Sequence, residues 1–294
     1  MGLPEIKIML LGVNIVFWHF KGSAYAQICN FAQNYSMSGF LFDDIVFGPV
    51  KSRRFGVSLG INLMPETMKY CSFNCIYCEC GLTAPDQEER AKLYTTEQIT
   101  DAMKQRFIAL KSEGLEPDNI TFAGNGEPTL HPGFAEIIDR TIELREEYFP
   151  KAEITVLSNS TRLHIPTVKQ ALLKIDNNVL KLDAGSEEMF RRINRPASPV
   201  RLSDIVDRLI GFEGNLVIQT LFIRGTVDNQ VIDNTTKEEI NLWLGHLQRI
   251  KPSLVMLYPI SRETPEQGLE KIGKDELLAI AVKLEHLNIP YEVF

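Results

Sequence analysis

Four of the five cysteines in this 294-residue chain fall within ten consecutive positions, Cys71-Ser72-Phe73-Asn74-Cys75-Ile76-Tyr77-Cys78-Glu79-Cys80. The first three have the spacing C-x3-C-x2-C. Three thiolates that close can grip a metal centre without help from the rest of the fold. Iron–sulfur clusters are held by cysteine thiolates, and a [4Fe–4S] cluster has four irons to ligate. With three cysteines bound, one iron stays open to a small molecule. With four bound, the cluster can only pass electrons. A zinc ion held by all four thiols also fits the composition, although zinc sites typically pair two separated knuckles and the sequence has one. At this point an open cluster, a closed cluster and zinc all stand.

The rest of the chain must position that loop. Hydrophobic residues make up 44% and charged residues 23%, ordinary for a globular protein with a substantial core. An odd number of bunched cysteines is no disulfide framework. It reads as metal binding in a reducing compartment, so a cytoplasmic protein is expected. There is no apolar run of about 18 residues, hence no expected spanning helix and no membrane partner. A net charge of -7 argues against broad nucleic-acid binding, which needs a basic face.

Residues 1–36 fit least well. Ile8 to Trp18 is apolar and Ala24-Tyr25-Ala26 imitates a signal-peptide cleavage site, but Glu5 and Asn14 break the pattern. The segment reads as an N-terminal extension, with a core domain over 37–294. From Ile45 the chain becomes regular. Strands are expected at 57–63, 119–124, 152–157, 178–183, 215–223 and 254–258. Between them, helical periodicity covers 96–113, 134–148, 166–173, 202–211 and 236–250, with a last helix at 274–287. Such alternation means parallel strands joined by helical crossovers. Six units are too few for a closed eight-stranded barrel. The expected fold is α/β, a partial, open (βα)6 barrel.

In parallel α/β folds the loops after the strands collect at one end and form the site. The first strand is followed by the cysteine loop. The second ends in Gly124-Asn125-Gly126-Glu127-Pro128-Thr129-Leu130-His131-Pro132, the third in Ser158-Asn159-Ser160-Thr161, and the fourth in Lys181-Leu182-Asp183-Ala184-Gly185. Lys181 and Asp183 share a strand face. Two charges there are costly unless paired or bound to a ligand. Gln219 to Ile223 ends the fifth strand, and Tyr258-Pro259-Ile260 the sixth. Two basic stretches, Lys51-Ser52-Arg53-Arg54 and Arg191-Arg192-Ile193-Asn194-Arg195 with Arg201, could each bind an anion or form a solvated surface.

Taken together, F-G-P-V-x-S-R-R, C-S-F-N-C-I-Y-C-E-C-G, G-N-G-E-P-T-L-H-P and K-L-D-A-G resemble the radical S-adenosylmethionine (radical SAM) superfamily, in its bacterial branch grouped with the tRNA wyosine synthases. The resemblance covers about Phe47 to the C-terminus. It implies an enzyme with one [4Fe–4S] cluster on Cys71, Cys75 and Cys78, and S-adenosylmethionine on the open iron. Reductive cleavage would yield a 5′-deoxyadenosyl radical that abstracts hydrogen from a substrate. Cys80 is then not a ligand.

The resemblance also assigns the cofactor contacts. Tyr77 packs near the adenine. Gly124 and Gly126 let the backbone approach, and Glu127 accepts from the cofactor's ammonium. Ser158 and Asn159 meet its ribose or carboxylate, with a helix cap as their bland alternative. Lys181 and Asp183 contact cofactor or substrate, or else form an internal ion pair. Ile223 lines the adenine pocket, and His131 is structural. The electron donor would be flavodoxin- or ferredoxin-like. tRNA is a substrate the resemblance allows and the acidic charge does not favour. A second cluster would have only Cys29 upstream to use. Outside enzymes, a non-catalytic zinc or Fe–S module is the alternative.

Overall fold

The computed structural model describes residues 39–294 and, ahead of them, the backbone of Lys7–Leu10 and Val13–Val16. These two strands, β1 and β2, pair antiparallel with Lys7 opposite Val16. The chain divides into two units, Met1–Met37 and Ser38–Phe294. The readings of 1–36 as an extension, of Cys29 and of the Ala24-Tyr25-Ala26 site lie outside the described residues.

The second unit is built on one sheet. Its strands are β3 (Val46–Ser52), β4 (Gly56–Ile61), β5 (Asn119–Phe122), β6 (Glu153–Ser158), β7 (Asn177–Lys181), β8 (Val217–Val227), β10 (Leu254–Pro259) and β12 (Tyr291–Val293). They lie in the order β12-β10-β8-β7-β6-β5-β4-β3. From β4 to β12 every neighbouring pair is parallel, and only β3 runs antiparallel against β4. The expected open (βα)6 architecture is therefore present, with an antiparallel strand added at one edge and a seventh parallel strand at the other. Two short strands, β9 (Gln230–Asp233) and β11 (Leu269–Lys271), pair antiparallel with the far end of β8.

The crossovers are α1 (Thr96–Glu113), α2 (Phe134–Tyr148), α3 (Pro166–Leu173), the pair α4 (Glu187–Asn194) and α5 (Leu202–Ile210), α6 (Lys237–Ile250) and α7 (Lys274–Ala281). Local chemistry sets their ends. Thr95 and Gln98 form a reciprocal capping box at the start of α1, and Gly114 closes it in the left-handed conformation. The last helix, expected over 274–287, is α-helical to Ala281 and 3-10 over Val282–Leu287. Among the described residues, no helix is long and apolar enough to cross a membrane.

The two faces of the sheet differ. Leu59, Ile61, Ile120, Phe122, Ile154, Val156, Ile218, Val255 and Leu257 pack against the helices in the main core. The alternate residues point the other way. There Val179, Val217 and Met256 form a second apolar cluster, joined by Phe55, Leu157, Leu254 and Phe294. Beside it runs a polar ladder. Ser58 Oγ bonds Thr121 Oγ1 at 2.7 Å, Thr121 bonds Asn119, and Asn119 bonds Thr155, each at 2.8 Å. Two residues further along β7 from Val179, on this same face, stands Lys181.

Candidate functional site

The cysteine loop leaves the end of β4 and is clamped from both sides. On one side it zips onto the glycine loop after β5. Tyr70 N–H donates to the Asn125 carbonyl at 2.8 Å and Glu127 N–H donates to the Tyr70 carbonyl at 3.0 Å, forming a parallel bridge between Tyr70 and Gly126. A Cβ on Gly126 would sit 1.8 Å from the Tyr70 carbonyl oxygen, and its φ is +152°. The close approach this glycine permits is thus to the cysteine loop itself. Likewise a Cβ on Gly124, at φ +146°, would meet Asn62 Oδ1 at 2.5 Å. On the other side, the N–H groups of Asn74 and Ile76 donate to the carbonyls of Asn194 and Ile193 at the end of α4, both at 3.0 Å. The Gln87 side chain pairs with the Cys71 backbone through both its amide atoms, at 2.9 and 3.1 Å.

This clamp brings donors onto the sulfurs. Cys71 and Cys75 are buried and Cys78 is half-buried. Cys71 Sγ accepts from Phe73 N–H at 3.4 Å and from Asn159 Nδ2 at 3.5 Å. Cys75 Sγ accepts from Asn194 Nδ2 at 3.4 Å. Burial pushes the Cys71 thiol up to about 12 and raises Cys75 too. Cys78 goes the other way, down to about 5, because the neighbouring Cys80 thiol and then the positive charge of Lys69 favour its thiolate against the effect of burial. Cys80 also donates to the Gly124 carbonyl at 3.3 Å. Lys69 is buried with its Nζ on the Gly81 carbonyl at 3.1 Å. Burial alone would lower its ammonium, but the thiols of Cys78, Cys71 and Cys75 outweigh that and raise it. Among the described residues, no three His, Cys, Asp or Glu side chains converge on a single-ion position. A four-iron cube takes its thiolates at separate corners, and two buried sulfurs served by N–H donors, with the half-buried Cys78 beside them, suit that group.

Glu127 ties the second and third strand ends together. Its carboxylate is 2% exposed. Oε1 accepts from Thr129 N–H at 3.1 Å, Thr129 Oγ1 at 2.5 Å and Ser158 Oγ at 2.8 Å, while Oε2 accepts from Asn159 N–H at 2.6 Å. Burial raises its pKa, and these four bonds pull against that shift. Asn159 in turn reaches Ser72 Oγ at 2.9 Å as well as Cys71, and its Oδ1 holds Thr161. The Gly124–Glu127 and Ser158–Asn159 stretches therefore meet each other and the first cysteine. His131 is structural, with Nε2 on the Tyr94 carbonyl at 2.8 Å and Nδ1 accepting from Gly133 N–H at 3.1 Å.

Lys181, Asp183 and Tyr77 also meet. Lys181 Nζ lies 3.5 Å from Asp183 Oδ2 and donates to Tyr77 Oη at 2.5 Å, and that hydroxyl donates onward to Asp183. Asp183 further accepts from Asn194 Nδ2 at 2.8 Å and Leu221 N–H at 3.0 Å. The ion pair that the shared strand face suggested is present. Burial would lower the Lys181 ammonium, but Asp183 more than offsets it and holds it above its ordinary value. Burial and then Asp183 raise the Tyr77 hydroxyl. Ile223 is fully buried in the main core, with its N–H on Asn234 Oδ1 at 2.8 Å.

Asn194 joins the Cys75 sulfur to this network, and sequence reading missed it. It sits in the basic stretch, where the arginines drew attention instead. Those arginines are spent on carboxylates. Arg191 pairs with Glu187 at 2.7 Å, Arg192 with Glu188, Arg195 with Asp228 at 2.9 Å and with Glu266, and Arg201 with Asp204 at 2.9 Å. Lys69 and Gln87 carried no sequence signal beyond flanking the cysteines.

Comparison with known proteins gives the same direction. The sequence matches the Radical SAM superfamily over residues 66–234. It is 33% identical over 249 residues to a UPF0026 protein of Helicobacter pylori, covering 83% of this chain and 75% of that one. The fold is similar to that of a radical SAM methyltransferase from Sphaerobacter thermophilus (TM-score 0.57, 15% identity, 81% of this chain and 65% of that one). It is also similar to Streptococcus suis SuiB bound to S-adenosylmethionine (TM-score 0.54, 14% identity, 77% and 48%). The chain thus spans about half to two thirds of those solved proteins, and at such identities the likeness is one of fold. The family match covers the cysteine loop, the glycine loop and the strand ends that meet them, and the chain belongs to the radical SAM superfamily, enzymes that work with a [4Fe–4S] cluster and S-adenosylmethionine.

Proposed function

We propose that Cys71, Cys75 and Cys78 hold one [4Fe–4S] cluster and that this chain generates a substrate radical by hydrogen abstraction. The observation that carries this reading is the set of N–H donors converging on the Cys71 and Cys75 sulfurs from three separate segments. When bound, the cluster supplies the electron that cleaves S-adenosylmethionine to a 5′-deoxyadenosyl radical. The chain's own residues orient and shield. Phe73 N–H, Asn159 and Asn194 hold the sulfurs, and such donors tune a cluster's potential. Glu127 fixes Ser158 and Asn159 beside Cys71, leaving the strand ends of Gly124–Glu127 and Ser158–Asn159 as the cofactor's binding wall. Tyr77, Lys181 and Asp183 form the opposing polar wall, and Ile223, buried in the main core, backs that wall from behind.

The core domain carries all of these residues. Its electron donor is a flavodoxin- or ferredoxin-like protein, which fits a reducing, cytoplasmic setting. Anaerobic reconstitution should give a brown protein with about four irons per chain that, once reduced, forms 5′-deoxyadenosine from S-adenosylmethionine. Cys71→Ala, Cys75→Ala and Cys78→Ala should each lose both properties, while Cys80→Ala keeps the cluster. A colourless protein holding one zinc would overturn the reading. Comparing metabolites and tRNA nucleosides between deletion and parent strains then decides whether the substrate is tRNA.

A further inference from the structure

Lys181 and Asp183 neutralise each other at the end of β7, and Lys181 stands on the sheet face that carries Val179 and Met256. A second cation there, Arg54, has no such partner. It stands in the turn between β3 and β4. Ser52 Oγ accepts from the N–H groups of Arg54 and Phe55 at 3.2 and 3.1 Å, and Asp118 Oδ2 accepts from Val57 N–H at 2.7 Å. The turn is thereby pinned at the start of β4. Of the four residues in the basic stretch, Lys51 and Arg53 are exposed, and Arg54 is not.

The side chains of this turn reach across the sheet. Phe55 packs on the cluster of Val179, Val217 and Met256. Arg54 Nη1 donates to Gln219 Oε1 on β8 at 2.8 Å. Its guanidinium carbon lies 5.2 Å from the Tyr258 ring centroid on β10 and 5.4 Å from that of Phe55. Gln219 is in register with Lys181 on β7 and Met256 on β10, and Tyr258 is two residues further towards the site end. Arg54 therefore stands on the same face and at the same level as Lys181. Among the described residues no carboxylate comes within 4 Å of it, and one of its five donors has a side-chain partner. A half-buried guanidinium with one neutral hydrogen bond and two aromatic faces is stable enough to fold around, yet keeps a planar fork free. The contrast with Arg191, Arg192, Arg195 and Arg201, each already paired, is direct.

We propose that Arg54 is the anion anchor of the substrate pocket, so that the molecule acted on carries a carboxylate or phosphate group that pairs with its guanidinium beside Gln219 and Tyr258. This rests on the radical SAM reading only for the placement of the substrate on this face. The inference is tested by calorimetric titration of inorganic phosphate and, separately, acetate into anaerobically reconstituted protein with saturating S-adenosylmethionine, against chloride at matched ionic strength. One saturable site is expected for at least one anion, and which anion binds distinguishes phosphate from carboxylate. Arg54→Gln should weaken it about tenfold or more, the loss of a charge-assisted bond. Arg54→Lys, which keeps the charge but not the fork, should fall between. No saturable binding of either anion to the wild type overturns the proposal, whatever the variants do. So do equal affinities in wild type and Arg54→Gln, or binding that S-adenosylmethionine abolishes. Cleavage of S-adenosylmethionine by the same preparation reports on the cluster reading separately, so either can fail alone.

Discussion

Asn194→Ala isolates the link between the Cys75 sulfur and the Asp183 network. The Asn194 side chain is 1% exposed and its one amide nitrogen serves two acceptors, Cys75 Sγ at 3.4 Å and Asp183 Oδ2 at 2.8 Å. Removing it leaves Asp183 with Tyr77, Lys181 and the Leu221 N–H, and leaves Cys75 without a side-chain donor. A hydrogen bond to a charged group is worth about 1.5–3 kcal/mol net, and the sulfur bond about 0.5–1.5 kcal/mol. The folded state should lose roughly 2–4 kcal/mol, or roughly 5–15 °C in Tm for a domain of this size. The two bonds separate in a second assay. A donor on a ligand sulfur stabilises the reduced cluster, which carries more negative charge. Because that bond strengthens on reduction, losing it should lower the one-electron potential, by up to about 20–60 mV for a bond of about 0.5–1.5 kcal/mol. Redox titration followed by electron paramagnetic resonance reads this on reconstituted protein. A destabilised variant whose potential stays within about 10 mV of wild type, or rises, would refute the sulfur contact while leaving the Asp183 contact intact.

Two further tests concern the frame around the site. His131 is held neutral. Gly133 N–H can donate only to an unprotonated Nδ1, and burial lowers the imidazole's pKa despite the favourable Tyr94 carbonyl. The unfolded histidine, at about 6.5, binds its proton more readily, so this contribution is whole above about 6.5 and drains away as the pH falls below that. Urea midpoints at about pH 7.5 and 5.5 should therefore converge in His131→Gln relative to wild type, and an unchanged pH dependence would count against it. Gly126→Ala should yield no cluster-bearing protein, because its Cβ would collide with the Tyr70 carbonyl. Gly245→Ala in α6 has nothing within 4 Å and should raise stability by about 0.5–1 kcal/mol. Equal effects at the two glycines would sink the steric account.

Much of the fold was readable because its signals are local. The six parallel strands and their helices carry short periodicities, and Thr95 and Gly114 bound α1 by chemistry within a few residues. The edges were not readable. β9, β11 and β12 are three or four residues long, too short for a periodic signal. The helix α4 was hidden inside a stretch whose arginines looked like an anion site, and their carboxylate partners come partly from β9's turn and from Glu266, far along the chain.

The cysteine loop shows the same division. By itself the sequence determined that three thiols in C-x3-C-x2-C stand at a strand end, with a glycine loop one strand later, since spacing along a chain is a covalent fact. Only the tertiary structure decided what surrounds them. Asn159 reaches Cys71 from 88 positions away and Asn194 reaches Cys75 from 119. Tyr77 meets Asp183 across 106 positions, and Arg54 finds Gln219 across 165. Those partners are chosen by the register of parallel strands and the clamping of one loop between two others. That choice is energetic and collective, because each buried polar group must find a partner somewhere in the folded chain.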